Sequence, residues 1–516
     1  MDRTAETDQD FRSLRDFGSL RLGTAHLVGA CGSGMRALAE MLRGLGCRVS
    51  GSDACPDPAI SEKLALRGIV VRAGHRAEFV PDRADLLIYS PAVGESNPER
   101  RFAVERGLPQ LSYSQMLGWL MRHRVGISIA GTHGKSTTTA MTACILSDAG
   151  LSPSAIVGAE VISREAGGWA GTSDLFVVES CEYQRSFLDL SPTHAVVTGI
   201  EPDHFDCYRD LDAIKQAFRA FVEKIPADGS LLIRADCPVT REACSELAVP
   251  VETFAGKPAF LSAKGERNQS SRHTPCAVSR AIVGTRSVPT TLESDWFATG
   301  VTHTKFGSRF RLMQNGALFA ELELRIPGRH NVANAVAAAA LAHRVGASAE
   351  SIRRSLAGFT GIRRRFEIVG EFGGVTLVDD YAHHPTAVAA TLAAARERFP
   401  DARVHCLFQP HQVSRTHVLM DEFAAAFASG EDILVLPAYA ARERVSDEPL
   451  QSSRQLVERI VFAGGYARFA ESLDRAWASL DDTLRPGDVL ITMGAGDIGQ
   501  WQHEITRRLQ RHHGSR

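Results

Sequence analysis

The segment VGISIAGTHGKSTTT, residues 125–139, constrains this chain more than any other. An apolar run of strand length breaks at Gly131, and a helix-forming run begins near Lys135. A strand that feeds a helix through a short glycine loop is the unit of a parallel α/β sheet. Its loop N–H groups and helix N-terminus favour an anion such as a polyphosphate. Lys135 would neutralise phosphate oxygens, and the Ser136 hydroxyl suits a magnesium ligand beside them, with Gly131, Thr132, His133, Gly134 and Thr137 completing the cradle. The full Walker spacing needs a glycine at 129, where Ile129 stands, so the match is to the shorter pattern GTxGK[ST]. A plain glycine turn with a surface lysine is the alternative.

The same alternation recurs on both sides of this loop. A chain of 516 residues is too long for one core, and roughly 100 to 200 residues per domain suggests about three. The boundaries are predicted as 1–122, 123–363 and 364–516, three α/β units. In the first, AHLVGA, CRVSGSD and DLLIYS alternate with helical patterns. In the second, LFVVES and HAVVTGI follow the glycine loop, and the amphipathic run LDAIKQAFRAFVEKI comes after them. DWFATGVTHT, SRFRLMQ and ALFAELELRI then suggest a small antiparallel sheet, followed by helices over 331–345 and 349–358. The third has GVTLVDD, VHCLFQ, DILVLP and DVLITMGAG before a terminal amphipathic helix. Between 255 and 293 the chain turns polar and pattern-poor, an excursion to which no chemistry is assigned.

Composition narrows the partners. A net charge of −2 offers no global attraction to nucleic acid, so an anionic ligand must be held by local sites. No run approaches the roughly 18 apolar residues of a membrane span. The start MDRTAETDQDFRSLRDF is polar and acidic where a secretory signal is basic and then apolar, which makes the cytoplasm the expected compartment. Ten cysteines at 31, 47, 55, 144, 181, 207, 237, 244, 276 and 406 form no CxxC pair and are expected to be reduced packing residues.

Magnesium needs hard oxygen ligands, and two segments after strands of the central unit supply carboxylates. VVESCEYQRSF offers Glu179 and Glu182, and VVTGIEPDHFDCY offers Asp203, His204 and Asp206. Taken singly, each is more often a solvated loop charge. In the third unit His383 and His384 of DDYAHHP, with His411 and Arg415 of FQPHQVSRT, follow strands at the crevice where open α/β sheets bind ligands. They would line an amino-acid pocket, with Arg415 pairing bidentately to a carboxylate. Near the start, Gly29-Ala30-Cys31-Gly32-Ser33-Gly34 opens a helix, with Asp53 some two dozen residues on. That is close to a dinucleotide fingerprint, but Cys31 replaces its second glycine.

Five segments in one order, GTHGKSTTT, PGRHNVANA, GIRRRFE, DDYAHHPT and FQPHQVSRT, resemble the Mur ligases of peptidoglycan synthesis. The likeness runs from about residue 25 to 500 and is weakest in the excursion. It implies a Rossmann-like N-terminal UDP-sugar domain, a central P-loop ATPase domain and a Rossmann-like C-terminal domain that closes over the site. Within the family, the pattern is most similar to members that join L-alanine to the lactyl carboxylate of UDP-N-acetylmuramate, using ATP and Mg2+ through an acyl phosphate. By matching positions, Lys135 would hold the ATP phosphates, Ser136 and Glu182 would ligate magnesium, and His204 would sit at a second metal position. His330, Asn331 and Asn334 would contact adenine, although alone the two asparagines are more commonly helix-start residues. Arg365 would reach the phosphates on closure and Asp380 the ribose, with a solvated basic run at 363–365 as the alternative. Gly29, Gly32, Ser33, Gly34 and Asp53 would receive the uridine diphosphate moiety.

Three positions depart from the family pattern. Gly199 stands for an asparagine, Cys181 for an aspartate and Gln412 for an arginine. They leave open a relative that attaches a recycled murein peptide, and a non-catalytic nucleotide-binding relative. A nicotinamide-dependent dehydrogenase, suggested by the N-terminal glycine loop alone, leaves the loop at 131 unexplained. Monomer and homodimer both remain open.

Overall fold

A computed structural model describes residues 23–256, 294–428, 432–441, 443 and 448–512. The N-terminal stretch on which the leader reading rests, the excursion from 257 to 293, and Cys276 lie outside the described residues.

Three sheets follow one another along the chain. The first contains β1 (Thr24–Val28), β2 (Arg48–Asp53), β3 (Val70–Ala73), β4 (Leu86–Tyr89) and β5 (Gln110–Ser112), all parallel, in the order β3-β2-β1-β4-β5. Ala25, Leu27 and Val28 of β1 are buried, as expected of an apolar strand at the centre of a sheet covered on both faces. The strand order reverses between β1 and β4, and the turn Gly29–Gly32 leaves β1 at that point to enter the helix Ser33–Gly44.

The second sheet has ten strands. These are β6 (Val125–Ala130), β7 (Ser154–Val161), β8 (Ala166–Trp169), β9 (Leu175–Glu179), β10 (His194–Val197), β11 (Ser230–Arg234), β12 (Val251–Ala255), β13 (Trp296–Thr304), β14 (Gly307–Gln314) and β15 (Ala317–Leu324). Their order is β15-β14-β13-β12-β11-β10-β6-β9-β7-β8. The antiparallel strands β13 to β15 continue this sheet rather than standing apart from it, joined to β12 through the pairs Phe254↔Trp296 and Ala255↔Phe297. Helices Lys135–Asp148 and Arg329–Arg344 pack against each other, the second so rich in alanine that most of its length is buried.

The third sheet holds β16 (Glu367–Phe372), β17 (Val375–Asp380), β18 (Val404–Phe408), β19 (Asp432–Val435), β20 (Tyr466–Phe469) and β21 (Val489–Met493), in the order β16-β17-β21-β18-β19-β20. Only β16 runs antiparallel to its neighbour.

Polar contacts join the three units. Buried Glu40 accepts from the Gly167 and Gly168 N–H groups at 2.9 and 3.2 Å, seating the first unit's helix on β8. A Cβ at Gly168 would lie 2.0 Å from the Ala37 carbonyl oxygen, so this approach requires glycine. Beyond the central sheet, Ile362 bridges to Val161 and the Arg363 N–H donates to the Glu160 carbonyl at 2.8 Å, tethering the segment that leads to β16. No helix among the described residues is long and apolar enough to cross a membrane.

Candidate active site between the central and third units

The glycine loop leaves β6 at the C-terminal edge of the central sheet, where crevices in open α/β sheets receive ligands. Gly131 has φ +131° and a Cβ there would lie 2.2 Å from Thr198 Oγ1. Gly134 has φ +81°, with Asn334 Oδ1 2.5 Å from the same imagined atom. Both positions therefore exclude side chains. The loop is pinned to the segment after β10: the Thr132 N–H donates to the Gly199 carbonyl (2.8 Å), the Glu201 N–H to Thr132 Oγ1 (2.9 Å), and Thr198 Oγ1 to the His133 carbonyl (2.5 Å). Helix Lys135–Asp148 starts without a side-chain cap, so its first N–H groups can serve an anion.

Lys135 Nζ donates to the Gly131 and Thr132 carbonyls at 2.6 and 3.2 Å and sits 3.0 and 2.9 Å from the two Glu182 oxygens. Burial opposes the charge on both partners. Each wins it back from the other: the Lys135 ammonium titrates above its usual range, and the Glu182 carboxyl below its own with help from His204. His204 Nε2 lies 3.5 Å from Glu182 Oε1, on a residue held at φ +54°. Tyr208, which sequence reasoning did not single out, donates its hydroxyl to the Glu182 carbonyl at 2.6 Å and fixes this strand end from below. Glu182 Oε2 is buried with no hydrogen-bond partner despite its nearness to the ammonium. A carboxylate oxygen with spare lone pairs, and a buried serine hydroxyl at the helix start, fit a hard divalent cation.

The third unit closes the other side. Arg415, 2 % exposed, donates Nε and Nη2 to Asp203 Oδ1 at 2.9 and 2.7 Å. Its Nη1 donates to the His411 carbonyl at 3.1 Å and lies 3.2 Å from His411 Nδ1. The fork thus holds an internal carboxylate from the central unit. Burial would raise Asp203, but the Arg415 guanidinium, followed by His204 and His383, holds its carboxyl far below the usual range. The His383 ring stands 5.8 Å from that of His411, which in turn is 5.6 Å from Tyr439. Burial and the neighbouring Arg415 charge keep His383 and His411 deprotonated at neutral pH, His411 down at about 4. His384 lies behind them, 4.7 Å ring to ring from His133, and Thr386 Oγ1 donates to Glu201 Oε2 at 2.7 Å.

Other expected residues fall in different roles. Glu179 Oε2 accepts from the Gly158 N–H at 2.7 Å, and Asp206 accepts from the Tyr183 hydroxyl at 2.8 Å, so both carboxylates serve the local frame. Asp380 is buried, with one oxygen on the Phe366 N–H and the other on the Ala382 N–H, each at 2.7 Å. That geometry fixes the backbone on either side of it and leaves each oxygen a further lone pair. Asn331 donates to the Pro327 carbonyl (2.6 Å) and Asn334 to Asn331 Oδ1 (3.1 Å), the helix-start reading of that pair, although Asn334 still abuts Gly134. His330 borders a cleft of about 420 Å³ with Arg329, Ala390, Ala393, Arg396 and Glu397, between the helices Arg329–Arg344 and Pro385–Arg398. Arg363 and Arg364 pair with Glu367 and Asp379, whereas Arg365 lies over the Tyr381 ring at 5.0 Å, its charge acting on the buried Asp380 carboxyl. In the first unit, Asp53 accepts from the Cys31 N–H at 2.9 Å, Gly29 turns at φ +81°, and Gly32 precedes a helix start with no side-chain cap. A Cβ at Gly34 would lie 2.8 Å from the Tyr113 ring. At the departures from the family pattern, Gly199 adopts φ +146° and Gln412 φ +69°. Cys181 offers its carbonyl to the Phe187 N–H.

Known proteins match this chain along nearly its whole length. Residues 24–125 match the Mur ligase family, catalytic domain; residues 129–342 the Mur ligase middle domain; and residues 364–496 the Mur ligase, glutamate ligase domain. A protein of Salinibacter ruber named UDP-N-acetylmuramate--L-alanine ligase is 35% identical over 494 residues, 95% of this chain and 96% of that one. A protein of Solibacter usitatus with the same name is 38% identical over 487 residues, 94% of this chain and 95% of that one. Among solved structures, UDP-N-acetylmuramate-alanine ligase MurC from Thermotoga maritima superposes with a TM-score of 0.73 at 24% identity, covering 95% of this chain and 99% of that chain. A murein peptide ligase from Psychrobacter arcticus follows at 0.68 and 23%, covering 94% and 98%. With relatives this similar along nearly its whole length, and with the glycine loop, the buried Lys135–Glu182 pair and three α/β units in the matching order, this chain belongs to the Mur ligase family, the ATP-dependent ligases.

Proposed function

We propose that this ligase joins the amino group of L-alanine to the lactyl carboxylate of UDP-N-acetylmuramate, with ATP driving the reaction. The observation that carries it is the end-to-end similarity to proteins named for that reaction, at 35% and 38% identity. A carboxylate is a poor electrophile, so its oxygen first takes the γ-phosphoryl group and ADP leaves. The amine then attacks the acyl carbon, loses a proton, and phosphate departs. Ser136 and Glu182 would hold magnesium, which would supply charge neutralisation during phosphoryl transfer, and His204 would sit at a second metal position.

The remaining work falls to the chain's own groups. Lys135 and the N–H groups of Gly131 to Thr137 bind the nucleotide phosphates, and Arg365, lying over Tyr381, meets developing charge from the third unit. Gly29, Gly32, Ser33, Gly34 and Asp53 shape the diphosphate turn of the first unit. His383, His384 and His411 line the amino-acid pocket, and Arg415 is a positioning residue that fixes His411 against Asp203. His330 flanks the adenine from its cleft. The domains divide at 122/123 and 363/364, and the cytoplasm, where ATP is at hand, is the compartment of the reaction.

The test combines protein, ATP, magnesium and UDP-N-acetylmuramate with L-alanine, glycine, L-serine or a murein tripeptide, following phosphate release and product mass. L-Alanine-dependent release with a product one alanyl residue heavier is expected. A response to the tripeptide alone selects the recycling reaction, and no amino-acid-dependent release sinks the ligase reading.

A further inference from the structure

His133 and Glu201 of the central unit and His384 of the third bring one ligand atom each within 4.8 Å of one another, the one such trio of histidine, cysteine or carboxylate groups among the described residues. None of the three belongs to the Lys135–Glu182–His204 cluster. His133 Nε2 is buried, has no hydrogen-bond partner and lies 3.4 Å from Glu201 Oε2. His384 Nε2 lies 3.3 Å from the Pro202 carbonyl, which accepts its proton, and Nδ1, which accepts only a long 3.4 Å bond from the Thr386 N–H, lies 3.9 Å from Glu201 Oε2. Thr386 Oγ1 donates to that same oxygen at 2.7 Å and steadies the carboxylate. Thr386 thus touches both Glu201 Oε2 and His384 Nδ1, and the Pro202 carbonyl behind the ring fixes the His384 tautomer, as second partners of metal-binding imidazoles do.

We propose that His133, Glu201 and His384 form a site for a borderline divalent cation of the zinc class, spanning the central and third units. Two imidazole nitrogens and one carboxylate oxygen suit zinc, cobalt or nickel, whereas magnesium prefers an all-oxygen shell. Tetrahedral bonds of about 2.0 to 2.2 Å put ligand atoms roughly 3.4 Å apart. The His133–Glu201 pair already stands at that spacing. The His384 nitrogen, within 4.8 Å of the other two ligand atoms, has to close on them by at most about 1.4 Å, within reach of side-chain rotation. A bound ion then fastens the third unit to the phosphate loop through His384, with a fourth position left to water or a ligand.

Cobalt(II) titration of the full-length protein in excess magnesium tests this. One ion per chain is expected, with visible bands of four- or five-coordinate cobalt and no thiolate charge-transfer band, competed by zinc. His384→Ala and Glu201→Gln should each weaken binding at least about tenfold, while Glu182→Gln leaves it unchanged. Circular dichroism checks that the variants fold, and His133→Gln serves if one does not. Absence of saturable binding in the wild type overturns the proposal. So do binding retained in the folded trio variants, loss in Glu182→Gln, or a thiolate band that places the ion on cysteine.

Discussion

Lys135 is held by two carbonyls of its own loop and by both oxygens of Glu182. Removing it strips an ammonium from a transferring phosphate and leaves the Glu182 carboxylate buried without its cation. Lys135→Ala is therefore expected to lower turnover by about 10²-fold or more, the scale for a lost charge-stabilising donor, with an unchanged circular dichroism spectrum. Lys135→Arg should not rescue it, because a planar guanidinium cannot sit where a compact ammonium lies between the Gly131 and Thr132 carbonyls. Wild-type phosphate release in the alanine variant would refute the role. Residues of this kind are legible in sequence because their neighbours are sequential: strand, glycines, lysine and serine are contiguous from 125 to 136. The internal partners of Asp380, Asn331 and Arg415 were not. What decides their roles is a partner elsewhere in the chain or a backbone group, the Phe366 N–H, the Pro327 carbonyl and the Asp203 carboxylate, and no local pattern encodes such a partner.

At the level of elements, the strands that were legible are the buried, near-continuous apolar runs such as β6, β10 and β18, and the amphipathic helix Leu211–Val222. Short or half-exposed strands went unassigned: β3 is a four-residue VVRA run on an exposed edge, and β8 is mostly glycine and alanine. The segment entering β16 is another such case. Arg364 and Phe366 there both adopt positive φ, +60° and +47°, a conformation costly for residues with side chains. It is held by Asp379 on the Arg364 guanidinium and Asp380 on the Phe366 N–H. Burial pushes the Asp379 carboxyl up to about 6, against the pull of Arg364 and the Thr492 hydroxyl. An unfolded aspartate titrates near about 3.9, so between about 4 and 6 the folded chain keeps a proton that the unfolded chain has released. Stability of the third unit should thus fall as pH rises through that window and level off above it. Hydrogen exchange of the 375–380 amides between pH 4 and 7, corrected for intrinsic rates, is expected to show this loss. Asp379→Asn should flatten the profile, and a profile equally steep in that variant would assign the titration to another group.

Across the whole molecule, the first and third units meet different parts of the central one. Glu40 seats the first unit on β8, whereas Arg415–Asp203, Thr386–Glu201 and Arg329–Glu397 seat the third against the phosphate loop and the helix beside it. The two Arg415–Asp203 bonds are the buried ones among these, and breaking a buried pair by removing one partner costs about 3 to 5 kcal/mol. That energy belongs to domain docking and not to any single core, since the partners stand 212 positions apart on different units. Arg415→Met is therefore expected to open the molecule, raising the radius of gyration in solution scattering, while binding of a non-hydrolysable ATP analogue through the central loop stays within about threefold of wild type. Turnover should fall by about 10²-fold, the cost of misplacing reacting groups by an ångström, and the KM for L-alanine should rise with it because His411 loses its anchor. Adding Asp203→Asn removes the uncompensated buried carboxylate and should recover thermal stability but not turnover. That split separates a docking role from a purely structural one: recovery of both would make the pair a stability element alone, and an unchanged radius of gyration in Arg415→Met would mean that the remaining contacts suffice to hold the third unit in place.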